Sequence, residues 1–473
     1  MPALKHAGTA AAQATRAAPR LNRPFIVALL LANFGTNVAL IAPIQNILPR
    51  MIESASGSAD KALGLGFVTG LGALAALVVN PLAGHYSDRW LSADNRTVMV
   101  LIGLVTGGVA HAILGLQHSI WWIAFWWTLC QATINIAYSP MSAIVVDHVD
   151  RRSWGLVWGL ISVAQAVGLI IGLAAIVEVF PSVTAGMTAI SVGYVIFLIP
   201  LVIVLYRLPR VSHAPPDTAS PAGPAGADAT ATEAAAGSSA AQAPAAVSGW
   251  AAVRALLSVG QGFGLVWVGK FLVTLAETIA LLYLYYYLQD VVHYHNPGQG
   301  QLILVLIATI AVVIATLAVG RAADVSGGYR RYAVLSSILM AMTGFILGGF
   351  AMWALVIVAA FALGAGYGAF QSVSQALSLV VLPSPANAGR DLGIINIASA
   401  VPQVIGAPIA GLVVAEFGGY RGLFIFAGLL ALAAAAVFAR VPSARDATPS
   451  LAFLPRRGVV TEGTVPLADP WSR

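Results

Sequence analysis

Residues 84–89 have the sequence Gly-His-Tyr-Ser-Asp-Arg and directly follow a run of about twenty apolar residues. A related stretch, Gly320-Arg-Ala-Ala-Asp324, follows a later apolar run. Its glycine and its aspartate each lie 236 positions after their counterparts in the first stretch. Two such stretches at one offset indicate that the chain consists of two related halves.

The composition places the apolar runs in a membrane. Of the 473 residues, 59% are hydrophobic and only 9% are charged, and the mean hydropathy is +0.86. Soluble proteins carry about 25% charged residues, which cover their water-facing surface. The net charge of +6 would suit nucleic acid, but the basic residues lie at the ends of apolar runs and form no patch with interleaved aromatics. We therefore expect an integral membrane protein with a lipid bilayer around it and no nucleic-acid partner.

Twelve runs have about the 20 residues that a helix needs to cross a bilayer. They are residues 24–48, 63–83, 97–117, 120–147, 154–178, 186–206, 262–288, 300–320, 332–350, 353–381, 392–416 and 421–440. The first run is too long for the core of a signal peptide, so we expect it to remain as a membrane span. The predicted fold class is an all-α membrane protein with about twelve transmembrane helices.

A second, longer echo supports the division into halves. Four residues return 238 positions later, and each copy lies at the start of an odd-numbered run: Arg152, Gly155, Gln165 and Gly168 in the first half, and Arg390, Gly393, Gln403 and Gly406 in the second. Because both copies enter the membrane from the same side, the two six-helix bundles are predicted to be parallel repeats.

Polar segments flank and connect the two bundles. The segment between the sixth and seventh runs has prolines among Ala, Gly and Ser, a composition typical of flexible linkers. The predicted organisation is a disordered N-tail at 1–23, an N-terminal six-helix bundle at 24–207, a flexible cytoplasmic linker at 208–254, a C-terminal six-helix bundle at 255–440 and a C-tail at 441–473.

The basic residues predict the orientation. Twenty of the 24 Lys and Arg residues lie in the tails or in segments on the same side of the membrane as the tails. The other side holds only Arg50, Lys61 and Arg421, and Lys270 lies within a span. Cytoplasmic segments are enriched in Lys and Arg, so we expect both termini in the cytoplasm and the protein in the plasma (inner) membrane.

The repeated stretch after the second and eighth spans resembles the loop signature of the major facilitator superfamily, and the resemblance covers all twelve spans. Within that superfamily the chain is similar to glycoside- and sucrose-type cation symporters at Gly84–Arg89 (GHYSDR), Tyr287–Asp290 (YLQD) and Gly389–Gln403 (GRDLGIINIASAVPQ). The resemblance implies the major facilitator fold, alternating access, and a small-molecule substrate carried with a proton or another cation.

The resemblance also implies a cytoplasmic gate. In the family, the loop aspartate lies beside a neighbouring helix N-terminus and loop arginines, where its charge is stabilised by up to about 1 kcal/mol. The alternative is that these residues are ordinary charges at loop ends. The residues matching the gate motif are Gly84, Asp88, Arg89, Arg152, Gly320, Asp324 and Arg390.

Only two ionisable residues lie well inside a predicted span, Lys270 and Glu277 of the seventh. Seven residues make close to two helical turns, so both lie on one face, separated by about 10 Å, too far for a direct ion pair. Burial favours the neutral form of a carboxyl, so Glu277 is predicted to bind and release the coupling proton. Lys270 is predicted to bind substrate. The alternatives are a permanently neutral Glu277 and a Lys270 that extends toward the cytoplasm.

Uncharged polar side chains align on single faces of several spans. Gln131 and Asn135 of the fourth span recur 240 positions later as Gln371 and Gln375 of the tenth. Amides and aromatic rings suit a polar, hydroxylated solute, whereas the alternative is hydrogen bonding between helices, worth about 0.6 kcal/mol per contact. Besides Lys270, the predicted substrate-binding residues are Asn33, Asn37, Gln131, Asn135, Tyr367, Gln371, Gln375 and Asn396.

Two further groups have other expected roles. Gln165 and Gln403, close to Gly168 and Gly406, suit helix packing at least as well as a cavity. The aromatics at the predicted outer boundaries are expected to anchor the protein at the membrane surface. They are Trp121, Trp122, Tyr285 and Tyr286.

The predicted function is secondary active transport of a small polar solute, such as a glycoside or sugar, coupled to a proton or another cation. One alternative is a proton-antiport exporter of drugs or metabolites, although the fifth span lacks the Gly-Pro pair typical of such antiporters. Another is a polytopic receptor or channel, but no charge ring or filter is visible. No nucleophile–base set, phosphate loop or metal cluster indicates an enzyme, and the single cysteine, Cys130, excludes a thiolate metal site. We expect a monomer without a cofactor or metal.

Overall fold

The structure, a computed structural model, describes residues 23–89, 93–149, 153–207, 261–381 and 388–442. Twelve membrane-crossing helices account for nearly all of this part of the chain. The predicted linker lies outside the described residues, as do the two predicted tails apart from Arg23, Val441 and Pro442.

The first two spans follow each other without a loop and are separated by a sharp kink. The helix Arg23–Ala42 passes through a π-helical turn at Pro43–Ile47 into the helix Leu48–Arg89. Gly57 interrupts this last helix with φ 79° and ψ 171°, a conformation that is available in practice only to glycine. We therefore call residues 23–56 span 1 and residues 58–89 span 2.

The remaining ten spans are separate elements. Span 5 continues into a π-helical turn at Ala175–Val179, and span 7 resumes after a break at Tyr283 as the short helix Leu284–Asp290. The spans are Ala93–Leu114 (span 3), Ile120–His148 (span 4), Trp154–Ala174 (span 5), Val183–Arg207 (span 6), Gln261–Leu282 (span 7), Pro297–Ser326 (span 8), Tyr329–Gly349 (span 9), Trp353–Val380 (span 10), Ala388–Glu416 (span 11) and Gly419–Phe438 (span 12).

Lipid is the solvent for most of this surface. Ten helical stretches of the described residues are long and apolar enough to cross a membrane. One of them, Arg23–Ser87, is 65 residues long and contains spans 1 and 2. Span 4 adds the twelfth crossing; it carries more polar side chains and packs against spans 2 and 3. Each predicted span corresponds to one observed helix.

The two halves have the same internal packing. In the first half, span 1 packs on spans 5 and 6, span 3 on spans 4 and 6, and span 2 on span 4. In the second half, span 7 packs on spans 11 and 12, span 9 on spans 10 and 12, and span 8 on span 10. Each pair of packed spans in the second half has the numbers of a first-half pair with six added to both. The parallel repeat predicted from the two sequence echoes is therefore confirmed.

Spans 2 and 11 form the main contact between the halves. Two glycines make their close approach possible, because Gly66 lies against the backbone of Ala407 and Gly411 lies against the backbone of Ala62. A side chain at either position would collide with backbone of the opposite half. Span 5 meets span 8 in a second, smaller contact.

Candidate functional site

The halves are joined by polar contacts at one end of the bundle, the end opposite Arg23 and Pro442. We call it the sealed end, and it comprises residues 43–66, 175–179, 283–301 and 404–411. Among the described residues, every hydrogen bond and ion pair between the two halves lies here.

A buried lysine lies at the centre of the sealed end. Lys61 is only 3% exposed. Its ammonium donates to Glu53 of its own half at 2.8 Å and to Asp290 of the other half at 2.9 Å. Gln289 donates to the same Glu53 carboxylate at 2.9 Å and 3.1 Å. The Lys61 ammonium therefore bridges one carboxylate from each half. The Gln289 amide forms a second link between the halves through Glu53.

Two tyrosines of span 7 extend this contact into the membrane. The Tyr286 hydroxyl donates to the Pro49 carbonyl at 2.7 Å, and its ring lies 4.8 Å from the Lys61 ammonium. The Tyr283 hydroxyl lies 2.9 Å from the Ala62 carbonyl and 3.1 Å from the Ala407 carbonyl. The prediction that Tyr286 anchors the membrane surface is wrong, because the ring is fully buried between the halves.

Amide pairs occupy the periphery of the sealed end. The Gln301 side chain donates to Gln45 across the interface of the two halves, and both side chains are buried. Gln299 donates to Glu178 at 3.0 Å, and both of these side chains are exposed. The contacts thus range from a buried centre at Lys61 to an exposed rim.

Lys270 and Glu277 lie beyond the sealed end, on one face of span 7. Glu277 is half-buried, and no described residue donates a hydrogen bond to its carboxylate. Lys270 is 5% exposed and forms neither a hydrogen bond nor an ion pair with the described residues. The Lys270 ammonium and the Glu277 carboxylate are not among the inaccessible polar atoms that lack a hydrogen-bond partner. Each group therefore keeps some accessible surface.

Span 10 brings a tyrosine close to Glu277. Tyr367 lies near enough to the carboxyl for the two groups to interact electrostatically. Tyr367 and Gln375 are half-buried, and Gln371 is exposed. None of these three side chains has a hydrogen-bond partner among the described residues, nor does Asn396 of span 11. The polar groups of these predicted residues of the second half are therefore not bonded to other described residues.

The predicted residues of the first half are bonded to one another. Gln165 of span 5 donates to Asn33 at 3.2 Å and to the Tyr138 hydroxyl at 3.3 Å, while Asn37 donates to the Gln165 carbonyl at 2.6 Å. This network joins spans 1, 4 and 5. Asn33 and Asn37 therefore connect helices, as the alternative expectation for these amides has it, and their binding of substrate stays a prediction.

The span 4 amides and Gln403 complete the predicted set. Asn135 donates to the Gln131 carbonyl at 2.8 Å within span 4, and Gln131 lies beside Gly72 of span 2. Gln403, the repeat partner of Gln165, is exposed and makes no hydrogen bond to described residues. The repeat thus preserves the position of this glutamine but not its contacts.

The gate motif is described only in part. Arg152 lies outside the described residues, and so do the side chains of Asp88, Arg89 and Arg390. Asp324 is exposed and accepts a hydrogen bond from Tyr329 at 2.9 Å.

The arginines that follow Asp324 bond elsewhere. Arg330 donates to the Val441 carbonyl at 3.0 Å, and Arg331 donates to the Tyr332 hydroxyl at 3.0 Å. The aspartate–arginine contact that the resemblance implies for the second copy is therefore not formed in this conformation. Gly84 and Gly320, the first residues of the two copies, are half-buried within spans 2 and 8.

Comparison with known families identifies the architecture. The sequence model of the Major Facilitator Superfamily matches residues 24–299 and 266–472, which include both halves. The chain belongs to the Major Facilitator Superfamily. It is therefore an integral membrane transporter of a small-molecule substrate and not an enzyme. No curated protein matches the sequence significantly.

Solved structures of other transporters share the fold. The nucleoside transporter NupG matches with a TM-score of 0.65 at 13% identity, over 89% of this chain and 99% of NupG. The peptide-family transporter PepTSo matches with 0.62 at 14% identity, over 89% and 98% of the two chains. The human organic anion transporter MFSD10 matches with 0.56 at 16% identity, over 89% and 100%. At such low identities the likeness confirms the fold alone.

Sequence analysis missed the centre of the sealed end. The sequence places Lys61 among the few basic residues on the outer side of the membrane and indicates no role for Glu53. The sequence does contain one indication of this centre, because the YLQD stretch that resembles the cation symporters includes both Gln289 and Asp290. Nothing local to Lys61 indicates its partner, because Asp290 lies 229 positions away.

Proposed function

We propose that this superfamily member is a secondary active transporter that moves a small polar solute by alternating access, coupled to a proton. The polar contacts between the halves at the sealed end support this mechanism, since alternating access needs a state that is closed at that end. The concentration of Lys and Arg on the other side of the bundle supports an outward-facing sealed end, cytoplasmic termini and a plasma (inner) membrane location. We further propose the domain boundaries and the monomeric state predicted from the sequence.

The observation that carries the proton coupling is the environment of Glu277. Its carboxyl lies within a span, half-buried and without a hydrogen-bond donor among the described residues. An ionised carboxylate in the middle of a bilayer costs about 2.5–3.5 kcal/mol on insertion scales, so the neutral acid is favoured until water or a ligand reaches it. Access that alternates between the two sides would then load and unload the proton.

The substrate is proposed to bind between the halves, against the faces of spans 1, 4, 7 and 10. The free side chains of the second half supply donors and acceptors for a hydroxylated solute of the glycoside or sugar type. The lining residues proposed are Lys270, Asn33, Asn37, Gln131, Asn135, Tyr367, Gln371, Gln375 and Asn396.

The gate motif is proposed to close the cytoplasmic side in the opposite state. A carboxylate that meets a helix N-terminus across the two halves would stabilise that state by up to about 1 kcal/mol. The residues proposed for this gate are Gly84, Asp88, Arg89, Arg152, Gly320, Asp324 and Arg390.

Substitution of Glu277 tests the proposed coupling. Glu277→Gln preserves the shape and one oxygen acceptor but cannot titrate. In liposomes with an imposed pH difference, we expect wild type to accumulate substrate and Glu277→Gln only to equilibrate it. Glu416→Gln is the matched control, since Glu416 is exposed at the end of span 11 and should leave accumulation unchanged.

The assay separates the alternatives. Proton-driven accumulation at the wild-type level by Glu277→Gln would remove this residue from the mechanism. If an imposed proton gradient drives substrate in the opposite direction to the protons, the protein is an antiporter, the alternative that the sequence left open.

A further inference from the structure

Two lysines of this chain are equally buried but differ in their surroundings. Lys61 is 3% exposed and Lys270 is 5% exposed. Lys61 has two carboxylates within 2.9 Å, whereas Lys270 has no ion-pair or hydrogen-bond partner among the described residues. A buried cation without compensation costs several kcal/mol, so an anion that reached Lys270 would be bound favourably.

Extension into cytoplasmic water does not account for Lys270. The residue lies nine positions after Gln261, the first residue of span 7, which corresponds to about 14 Å along the helix axis. A lysine that extends along the surface to water exposes its stem, but the stem of Lys270 is buried. Lys270 also lies on the same face of span 7 as Glu277, two helical turns away.

Two aromatic residues flank Lys270 in the sequence of span 7. Trp267 and Phe271, one turn apart on span 7, stack with ring centroids 5.4 Å apart and an interplanar angle of 16°. The Trp267 indole donates to the Ile394 carbonyl of span 11 at 2.8 Å, which fixes its orientation. Both rings are half-buried and so retain exposed surface. A flat apolar surface next to a cation suits a ligand that has a ring and a negative charge.

We propose that the substrate of this transporter is a small organic anion with a planar ring, whose negative group binds Lys270 and whose ring packs on Trp267 and Phe271. This inference rests on the proposed function and names an acid that carries a ring, in place of a neutral glycoside or sugar, as the solute of the same site. Glu277 lies about 10 Å further along the helix, so the anion and the coupling proton would occupy separate positions on one face.

Thermal unfolding of the purified full-length protein tests the proposal, since a ligand that binds only the folded state raises the unfolding temperature. The probes are two matched acid–amide pairs, benzoate with benzamide and nicotinate with nicotinamide. In wild type we expect the acids to raise the unfolding temperature and the amides to bind at least about tenfold more weakly. Loss of a charge-assisted contact corresponds to about 10- to 100-fold in affinity, which is the effect expected for the acids in Lys270→Gln.

Three variants complete the test. Lys270→Arg should retain binding of the acids, because it keeps the charge. Arg331→Gln removes the same charge from an exposed position and should bind the acids as wild type does. Glu416→Gln removes an exposed charge at the end of span 11 and should also bind the acids as wild type does.

Three results would overturn the proposal. They are no acid-induced shift in wild type, equal shifts for acid and amide, and unchanged acid binding in Lys270→Gln. None of them bears on proton coupling, which is decided by the accumulation assay with Glu277→Gln. Conversely, acid binding that depends on Lys270 would stand even if Glu277→Gln still accumulated substrate.

Discussion

At the scale of single residues, hydrogen-bond partners divide the polar side chains inside the membrane into two sets. Asn33, Asn37, Tyr138 and Gln165 bond to one another across three helices. Lys270 and Glu277 of span 7 and Tyr367, Gln371 and Gln375 of span 10 have no such partners among the described residues. A polar group that is bonded within the protein stabilises the fold, whereas an unpaired one is available to water, substrate or a proton.

The first set predicts a stability effect for Gln165. Gln165→Leu keeps much of the volume and removes the side-chain contacts to Asn33 and Tyr138. At about 0.6 kcal/mol for each contact, we expect the free energy of unfolding to fall by about 1 kcal/mol. Unfolding titrations in detergent micelles would measure the change.

Gln117→Leu is the control, because the Gln117 side chain, just after the end of span 3, donates only to the Ile113 carbonyl of that span. It should change stability by less than Gln165→Leu does. Equal losses in the two variants would mean that the network does not hold spans 1, 4 and 5 together.

At the scale of elements, small residues determine how closely the helices approach. A Cβ at Gly168 of span 5 would lie 2.9 Å from the Phe34 carbonyl oxygen of span 1, whereas a Cβ at Gly406 of span 11 would lie 3.1 Å from the Thr278 side chain of span 7. Without a hydrophobic driving force between helices in lipid, such close backbone contact is a main source of helix association. Because the two glycines are 238 positions apart, the second sequence echo marks a packing contact that occurs in both halves.

Gly168→Ala should therefore separate spans 1 and 5. The added methyl meets backbone, which cannot rotate away, and overpacking of this kind costs about 1–3 kcal/mol. Gly159→Ala on the same span has no atom within 4 Å of its new methyl group. Since alanine favours a helix over glycine by up to about 1 kcal/mol, this control should be neutral or stabilising. Thermal unfolding of both variants decides the matter, and a Gly168→Ala protein as stable as wild type would contradict the packing argument.

At the scale of the whole molecule, the sealed end stabilises the described conformation. Its buried centre consists of one lysine shared by carboxylates of the two halves, with tyrosine hydroxyls bonded to backbone carbonyls across the interface. Removal of one member of a buried ion pair is costly, because the remaining charges lose their compensation. Without Lys61, Glu53 and Asp290 would also repel each other.

Lys61→Gln should therefore open the sealed end. We expect the equilibrium to move toward the opposite state by at least about 1.4 kcal/mol, a tenfold change in population. Spin labels at Ser58→Cys and His295→Cys, both exposed and on opposite halves, would report the separation by double electron–electron resonance. The native Cys130 is buried and should remain unlabelled.

The control for this experiment is Glu178→Gln, which alters an exposed contact to Gln299 at the rim of the same end. Exposed polar contacts contribute little, so its distance distribution should match that of wild type. An unchanged distribution in Lys61→Gln would show that the glycine-mediated contact of spans 2 and 11 holds the halves together without the ion pair.

The sequence by itself determined the number of spans, the two halves, the parallel repeat and the membership of the superfamily. These properties depend on local features of the sequence. A long run of apolar residues is stable in lipid whatever its position in the chain, and repeated motifs are recognised by their constant offset. It also placed Lys270 and Glu277 on one face of one helix, because helical periodicity is local.

Only the tertiary structure decided which end of the bundle is closed and which polar groups are paired. Lys61 and Asp290 lie in different halves, 229 positions apart, and become partners where the start of span 2 meets the helix Leu284–Asp290 that follows span 7. The repeat could not predict that Gln165 is bonded while Gln403 is exposed, since the two halves place different neighbours around equivalent positions. Hydropathy assigns a residue to the membrane, but the partner of a buried charge is determined by the packing of helices that are distant in the chain.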